Sequence, residues 1–492
     1  MGRSGWRRAV WCVLVLVMLG GAAPVSAAKP PDSSMVGGLR EVAVVDLDGT
    51  ENQHLAFDGD LAFATNIDGF RVFDIRHPGK PQLLTDFRCR AGREADVSVF
   101  HSGDRRYLIQ SVDRPQTTPD CTGSDTPTVV ENGRPRARFG YEGIRVFDIT
   151  DAAAPRFLRM YRTACGAHVH TLVPDPQHAA MQVYVASYPL FENTTPTVDR
   201  AAAAGLACVP PHQKFPIVTV PLADPTGGTV REKALSSDTQ PFDLDGPSGP
   251  EPAFIGARHF QAFLPLNLMI CGCSGDAQYW SIADRSNPTS ADGEPHTHLR
   301  TGDGIGTNYL SGASVTWDGK IAVINDSTAS SASCQGAAST VNYTWYFPVV
   351  TPGAPAPAPL GKYTIPRAQD AQLCAGRAGT VLPTTERYLM SQAFLQGGTS
   401  LVDFTDPAHP REIAYADTED ATGKDDTFTA YWYNGYIYAN SGINRRGTGQ
   451  NRGLEVLDIT DPHLRKLVRD TTLTHLNPFT QESDAFLTGQ GP

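Results

Sequence analysis

The chain has 492 residues, a formal net charge of −11 and a composition that is 40% hydrophobic but only 19% charged. An acidic balance of that size argues against nucleic acid and anionic membrane surfaces as partners, because both would repel it. Forty-six Gly and 38 Pro suit a folded chain of many short strands and turns.

The N-terminus reads as a targeting segment. Arg3, Arg7 and Arg8 form a basic start, 10–19 is an apolar run too short to span a bilayer, and Val25-Ser26-Ala27 is a small-residue cleavage site. Residues 1–28 are therefore expected to be removed, which takes the net charge to about −14. The expected location is secreted, or at the cell surface. Residues 29–38, with Pro, Ser and Gly, read as a linker, and 39–492 as one domain. After residue 28 no apolar run is long enough to span a membrane.

From Leu39 onward short strands alternate with Asp-Gly turns, and one phrase returns. Phe70-Arg71-Val72-Phe73-Asp74-Ile75 leads to Pro78, and Gly143-Ile144-Arg145-Val146-Phe147-Asp148-Ile149-Thr150-Asp151 leads to Pro155. Further copies are Leu401-Val402-Asp403-Phe404-Thr405-Asp406-Pro407 and Leu454-Glu455-Val456-Leu457-Asp458-Ile459-Thr460-Asp461-Pro462. Each is a β-branched or aromatic strand followed by turn residues. Weaker copies begin near 217, 279 and 345, so the phrase recurs about every 54–74 residues. A four-stranded antiparallel meander per repeat predicts an all-β fold, a β-propeller of seven blades, with six or eight also compatible with the spacing. Leu39 to Leu47 resembles the fourth-strand segment Arg411 to Ala416 and is expected to complete the last blade from the opposite terminus.

The recurring phrase, with Cys165-Gly166-Ala167-His168, Thr316-Trp317-Asp318-Gly319-Lys320 and His475-Leu476-Asn477-Pro478, resembles the LVIVD repeat of secreted actinobacterial proteins. The resemblance implies a β-propeller and export. It implies no activity.

Eight cysteines follow the targeting segment, an even number that suits disulfides in an exported chain. Neighbour pairing would join Cys89 to Cys121, Cys165 to Cys208 and Cys334 to Cys374. Cys271 and Cys273 are left as a strained bridge, a reactive pair or metal ligands.

In a propeller the first strand of each blade lines the central channel, so candidate chemistry sits where those strands begin. Counting back from the first turns brings His168 and His259 to equivalent places, and His170 shares a face with His168 by the period of two. His168, His170 and His259 are thus the metal candidates, for Zn, Cu or Fe. His54, Glu94, Asp96 and Arg377 are expected near the same mouth. Hydrogen-bonded structural histidines are the plainer reading, and Arg377 works against a cation. The repeated Asp74, Asp148, Asp403 and Asp458 read as turn caps. Asp417, Glu419, Asp420, Asp425 and Asp426 form either a solvated acidic loop or a Ca²⁺ site.

No Gly-x-Ser-x-Gly, P-loop or His-Glu-x-x-His motif occurs. The expected function is a monomeric binding module for a small molecule or an extracellular protein, without catalysis and without a required cofactor. The alternatives are a metal-dependent enzyme, an oxidoreductase with histidines at the channel mouth, and a structural cell-surface protein.

Overall fold

The computed structural model describes residues 36–482, apart from 46, 48–49, 93, 132–133, 190–191, 197–205, 210–211, 236–255, 274–275, 290–296, 300–309, 327–342, 368–375, 385, 418, 421–422, 443–448, 451 and 470. Residues 1–28, Cys334, Cys374 and most of 29–38 lie outside the described residues, and with them the targeting segment and the Cys334–Cys374 pairing.

Five antiparallel sheets follow one another along the chain. Each is built around four strands in chain order: Asn52–Asp58 to Gln82–Arg88, Val97–Ser102 to Arg156–Arg162, Val169–Asp175 to Thr229–Ala234, Ala257–Phe263 to Thr297–Leu299, and Leu310–Val315 to Gly361–Tyr363. A nine-stranded sheet follows, in which the strand Ala378–Val381 of one meander pairs in parallel with Thr427–Tyr433 of the next. The first strands form the inner wall. Each touches the next, from Asn52–Asp58 through the five sheets to Ala378–Val381 and Thr427–Tyr433, which touches Asn52–Asp58 again. That closed ring is a β-propeller.

Burial follows from this stacking. Inner strands are covered on both faces, so Asn52–Asp58, Ala257–Phe263 and Thr427–Tyr433 are buried at every position. The outermost strand Gln82–Arg88 shows its alternate residues to water. The core lies between neighbouring sheets. In one cluster Ile109, Ile144 and Val146 of the second sheet meet Leu172, Val183 and Val218 of the third. Gly69 and Gly143, each at the start of a signature strand, sit at φ 151° and 129°. A Cβ there would come within 2.0 Å of Phe87 O and 2.3 Å of Tyr161 O.

The ring is tied at both ends. Leu39–Val45 pairs antiparallel with Gly453–Ile459 and completes the last meander. Part of the expected linker belongs to the same device: Val36–Gly37 pairs with Tyr415 and Ala416 of the preceding meander. At the other terminus Asp461 caps the helix Pro462–Arg469 by accepting the N–H groups of His463 and Leu464 at 2.8 and 3.1 Å. The chain then turns inward as a strap. His475 and Leu476 pair with Asp58 and Phe57, and Thr480 and Gln481 add in parallel to Ala262 and Phe263. Asn477 clasps both backbone groups of Val99 at 2.8 Å, and Gln481 both of Val315 at 2.7–2.8 Å. Thr480 donates to Leu172 O at 2.7 Å. Five inner strands are thereby joined by the seven residues His475 to Gln481.

Strand direction separates two faces. Turns such as 59–60, 103–104 and 434–435 lie at one face, where the strap enters through Thr474 O on Gly59 N–H. Inner strands begin at the other, where the strands ending at Ala186, Ala234 and Asp326 also finish.

Several expectations change. In the insertion between the second and third strands of the second sheet, Thr128–Glu131 pairs antiparallel with Arg134–Phe139, which pairs in parallel with Glu192–Pro196. Asp74, Asp148 and Asp403 do cap their turns, accepting the N–H of Arg76, Thr150 and Thr405 at 3.0 Å. Asp458 instead binds Arg40 and Arg465 at 2.8 and 2.6 Å, because a helix follows its strand and Asp461 takes over the capping. Cys89 is bonded to Cys121, Cys165 to Cys208 and Cys271 to Cys273.

Candidate ligand site in the central channel

A small chamber lies at the face where the inner strands begin. Its lining includes His54, Glu94, His168, Arg258, Arg377 and Phe428. His259, Val169 and Ala378 complete it. The free volume is about 10 Å³, enough for one water-sized occupant. Phe479 of the strap packs edge-on against His54 and His259, with ring centroids 5.4 and 4.4 Å away.

Bulges aim the side chains. The inner-strand registers slip between Asn52 and Leu55, between Ala257 and His259, and between Thr427 and Thr429. His54, Arg258 and Phe428 fall in these slips, and a slip breaks the alternation that would turn Arg258 away from His259's side. Arg258 and His259 can therefore line the chamber together. On the next wall Cys165 and Gly166 take left-handed φ values of 58° and 63°, which turns the chain so that His168 enters ahead of its strand.

The charges converge on Glu94. Its Oε2 is 2.6 Å from His168 Nε2 and 3.8 Å from Arg258 Nη2, and its Oε1 is 3.8 Å from Arg377 Nη1. Arg258 Nη1 also lies 2.6 Å from His168 Nε2. That nitrogen donates to Glu94 when it carries a proton and accepts from Arg258 when it does not, so it serves one neighbour at a time. Behind the ring, Asp113 Oδ2 is 3.8 Å from Nδ1. Arg377 stacks over Phe428 at 4.9 Å.

Burial raises the Glu94 carboxyl, but His168, Arg258 and Arg377 together overcome it and hold the group well below the usual carboxylate range. Burial pushes His54 down to about 3 against the pull of Glu94, and with His54 and Arg258 it pushes His259 well below its ordinary value. Both rings are neutral at pH 7. Their Nε2 atoms are buried without a hydrogen-bond partner, although His54 Nδ1 meets the Tyr431 hydroxyl at 3.2 Å.

His54, Glu94, His168, His259 and Arg377 are thus brought together. His170 and Asp96 are not part of the lining. His170 Nδ1 meets Ser111 Oγ at 2.8 Å, and its backbone N–H donates to Asp96 at 3.1 Å. The expectation that His168 and His170 share a side fails because the strand begins only at Val169. Burial pushes Asp96 up to about 8, against the N–H bonds from His170 and Val97. Among the described residues no three His, Cys, Asp or Glu side chains gather at metal-binding spacing. The guanidinium groups of Arg258 and Arg377 beside Glu94 also make poor surroundings for a cation. In the acidic loop, Asp417 is buried and paired with Arg367 at 2.9 Å, and Asp426 is buried. The side chains of Glu419, Asp420 and Asp425 lie outside the described residues. Sequence reasoning missed Arg258 and Phe428. The one signal for Arg258 was a charged residue beside His259 in an otherwise apolar run.

No protein-family model matches the chain, and no curated protein matches it. Among solved structures, the chain is similar to the Cps50 (Swd1) β-propeller domain of Myceliophteria thermophila, at 12% identity and TM-score 0.48, over 84% of this chain and 98% of that one. It is similar to U3-55K at 9% identity and TM-score 0.48, over 86% and 98%. A putative 6-phosphogluconolactonase of Bacteroides fragilis follows at 8% identity and TM-score 0.43, over 81% and 93%. The closed ring of sheets by itself makes the chain a propeller.

Proposed function

We propose that the protein is an exported, monomeric, seven-bladed propeller of LVIVD-type repeats, acting as a non-catalytic binding module. Counting the nine-stranded sheet as two meanders joined by parallel pairing supports seven blades. The recurring signature strands support the repeat type, and the basic, apolar and small-residue succession in 1–28 supports export. The ligand is held at the face where the inner strands begin, over the central chamber. The observation that carries this reading is the convergence of Glu94, His168, Arg258 and Arg377, all buried and charged or polar, on one small space. Burying that many ionisable groups costs stability, and a binding site is a reason to keep them.

The test is retention of compounds from culture medium, identified by mass spectrometry, with Ala378→Leu as control. Ala378 lines the chamber and is 2% exposed, so a larger side chain there fills it. At least one compound should be retained by the native chain and lost in the variant. Identical retention profiles for the two would sink the reading.

A further inference from the structure

We infer that the Cys89–Cys121 disulfide is a thiol-exchange site, at which a low-molecular-weight thiol attacks Cys121 and Cys89 leaves as a thiolate held by Arg145. The site stands apart from the channel chamber and uses none of its residues.

Three observations carry it. The first is a buried guanidinium held by neutral acceptors. Arg145, on the signature strand Tyr141–Asp148, is 1% exposed. Its Nε donates to Pro119 O at 3.0 Å and its Nη2 to Asp120 O at 3.2 Å. Its Nη1 donates to Arg90 O at 2.6 Å and to Cys89 Sγ at 3.3 Å. Among the described residues, Asp120 is the one carboxylate that acts on this charge. That carboxylate is bound by Thr118 and Thr122 at 2.6–3.0 Å, and Arg90 is itself paired with Asp68 and Asp125. Burial pushes Arg145 down to about 10, so it is still charged at pH 7. Such a cation gains a counter-ion when the sulfur beside it becomes an anion. The second observation is asymmetry. Cys89 is 1% exposed and packs in a cluster with Phe70, Val97 and Phe147. Cys121 is half-buried, in a loop whose Thr117, Thr122 and Ser124 are exposed. A thiol from solution therefore meets Cys121, and the sulfur left behind is the one beside Arg145. The third is contrast. Cys165, Cys208, Cys271 and Cys273 are all buried. Among the described residues, Arg145 is the one guanidinium that donates to a cysteine sulfur.

In the step itself the incoming thiolate bonds to Cys121 Sγ as the Cys89–Cys121 bond breaks, and the electron pair goes to Cys89 Sγ. A second thiol then attacks the adduct and leaves as a low-molecular-weight disulfide, with Cys121 freed as a thiol. Two thiols are oxidised to one disulfide while the protein disulfide is reduced, and the reverse sequence closes it. A leaving sulfur of lowered pKa departs faster, which is what Arg145 supplies. Opening unties the insertion that carries Cys121 from the entry of the second sheet.

The experiment incubates the full chain at pH 7 with reduced glutathione, quenches with N-ethylmaleimide at intervals and follows each disulfide by peptide mass spectrometry. Cys89–Cys121 should open about tenfold or more faster than Cys165–Cys208, and the glutathione adduct should sit on Cys121. Arg145→Gln should slow that opening about tenfold, although loss of a loop anchor by itself would speed it. Equal opening of the two bridges in the native chain, or an adduct on Cys89, overturns the inference. So does Arg145→Gln, folded by circular dichroism, that opens as fast as the native chain or faster. If Arg145→Gln does not fold, the relative rates and the position of the adduct in the native chain still decide.

Discussion

Glu94 and Asp96 are two residues apart and both are buried, yet they are held in opposite protonation states. Glu94 faces His168 and two arginines and stays charged, whereas Asp96 accepts backbone N–H groups beside the neutral His170 ring, 3.4 Å away, and burial pushes it up to about 8. These groups set opposing slopes of stability with pH. His54 and His170 are pushed down to about 3 by burial, and His259 is pushed well below its ordinary value. The unfolded chain therefore takes up protons on these rings as pH falls below about 6.5 while the folded chain does not, and stability is lost toward low pH. For Asp96 the sign reverses. The folded chain keeps a proton that the unfolded chain releases near 3.9, so stability falls as pH rises through about 8. Tm should peak between these limits, near pH 6–7, and Asp96→Asn should flatten the alkaline side. Its absolute Tm should be lower, because an amide nitrogen cannot accept the N–H of Val97 or His170. A variant that declines between pH 6.5 and 8.5 as steeply as the native chain would contradict the assignment.

Short elements carry much of the closure. Leu39–Val45 covers what would be the exposed edge of Gly453–Ile459, with Leu39 and Val45 buried. An uncovered edge of that length invites pairing with another chain. The strap does the same service for the channel, through side-chain amides. Gln481 is 5% exposed, and its amide satisfies both the N–H and the C=O of Val315, a residue that is itself buried. Gln481→Ala leaves both groups without that partner and should cost about 2–4 kcal/mol, measured by urea denaturation. Gln481→Glu should not recover that loss, since a buried carboxylate oxygen would then face the Val315 C=O in place of the amide donor. A cost within 0.5 kcal/mol for Gln481→Ala, a value typical of surface changes, would mean that the strap is loosely held.

At the scale of the molecule, two disulfides fasten the long connections to the ring. Cys89–Cys121 ties the insertion after the second strand of the second sheet to the entry of that sheet, and Cys165–Cys208 does the same one sheet later. The bridged residues are 32 and 43 apart, so loop entropy alone gives each about 4 kcal/mol. Non-reducing peptide mapping should recover both pairs together with Cys271–Cys273. The double variant Cys165→Ser/Cys208→Ser should lower stability by about 2–4 kcal/mol. Recovery of Cys89 or Cys165 in any other pairing would refute the arrangement.

The recurring strand phrase, with its β-branched core and Asp-Pro turns, was enough by itself to predict the propeller, the order of the meanders and the completion of the last one by Leu39–Val45. Those are consequences of local alternation and turn chemistry, which are written into neighbouring residues. The mouth positions His168, His259 and Arg377 were legible for the same reason, by counting along a repeat, and His54 and Glu94 as residues near the counted places. What surrounds them was not. Arg258 and Phe428 enter through register slips, and His168 parts from His170 through a left-handed turn; neither follows from a period of two. The strap, the clasps by Asn477 and Gln481, and the opposite states of Glu94 and Asp96 depend on residues hundreds of positions apart meeting in the channel. Only the closed ring brings them together, because burial and charge at its axis are properties of the whole circle of strands.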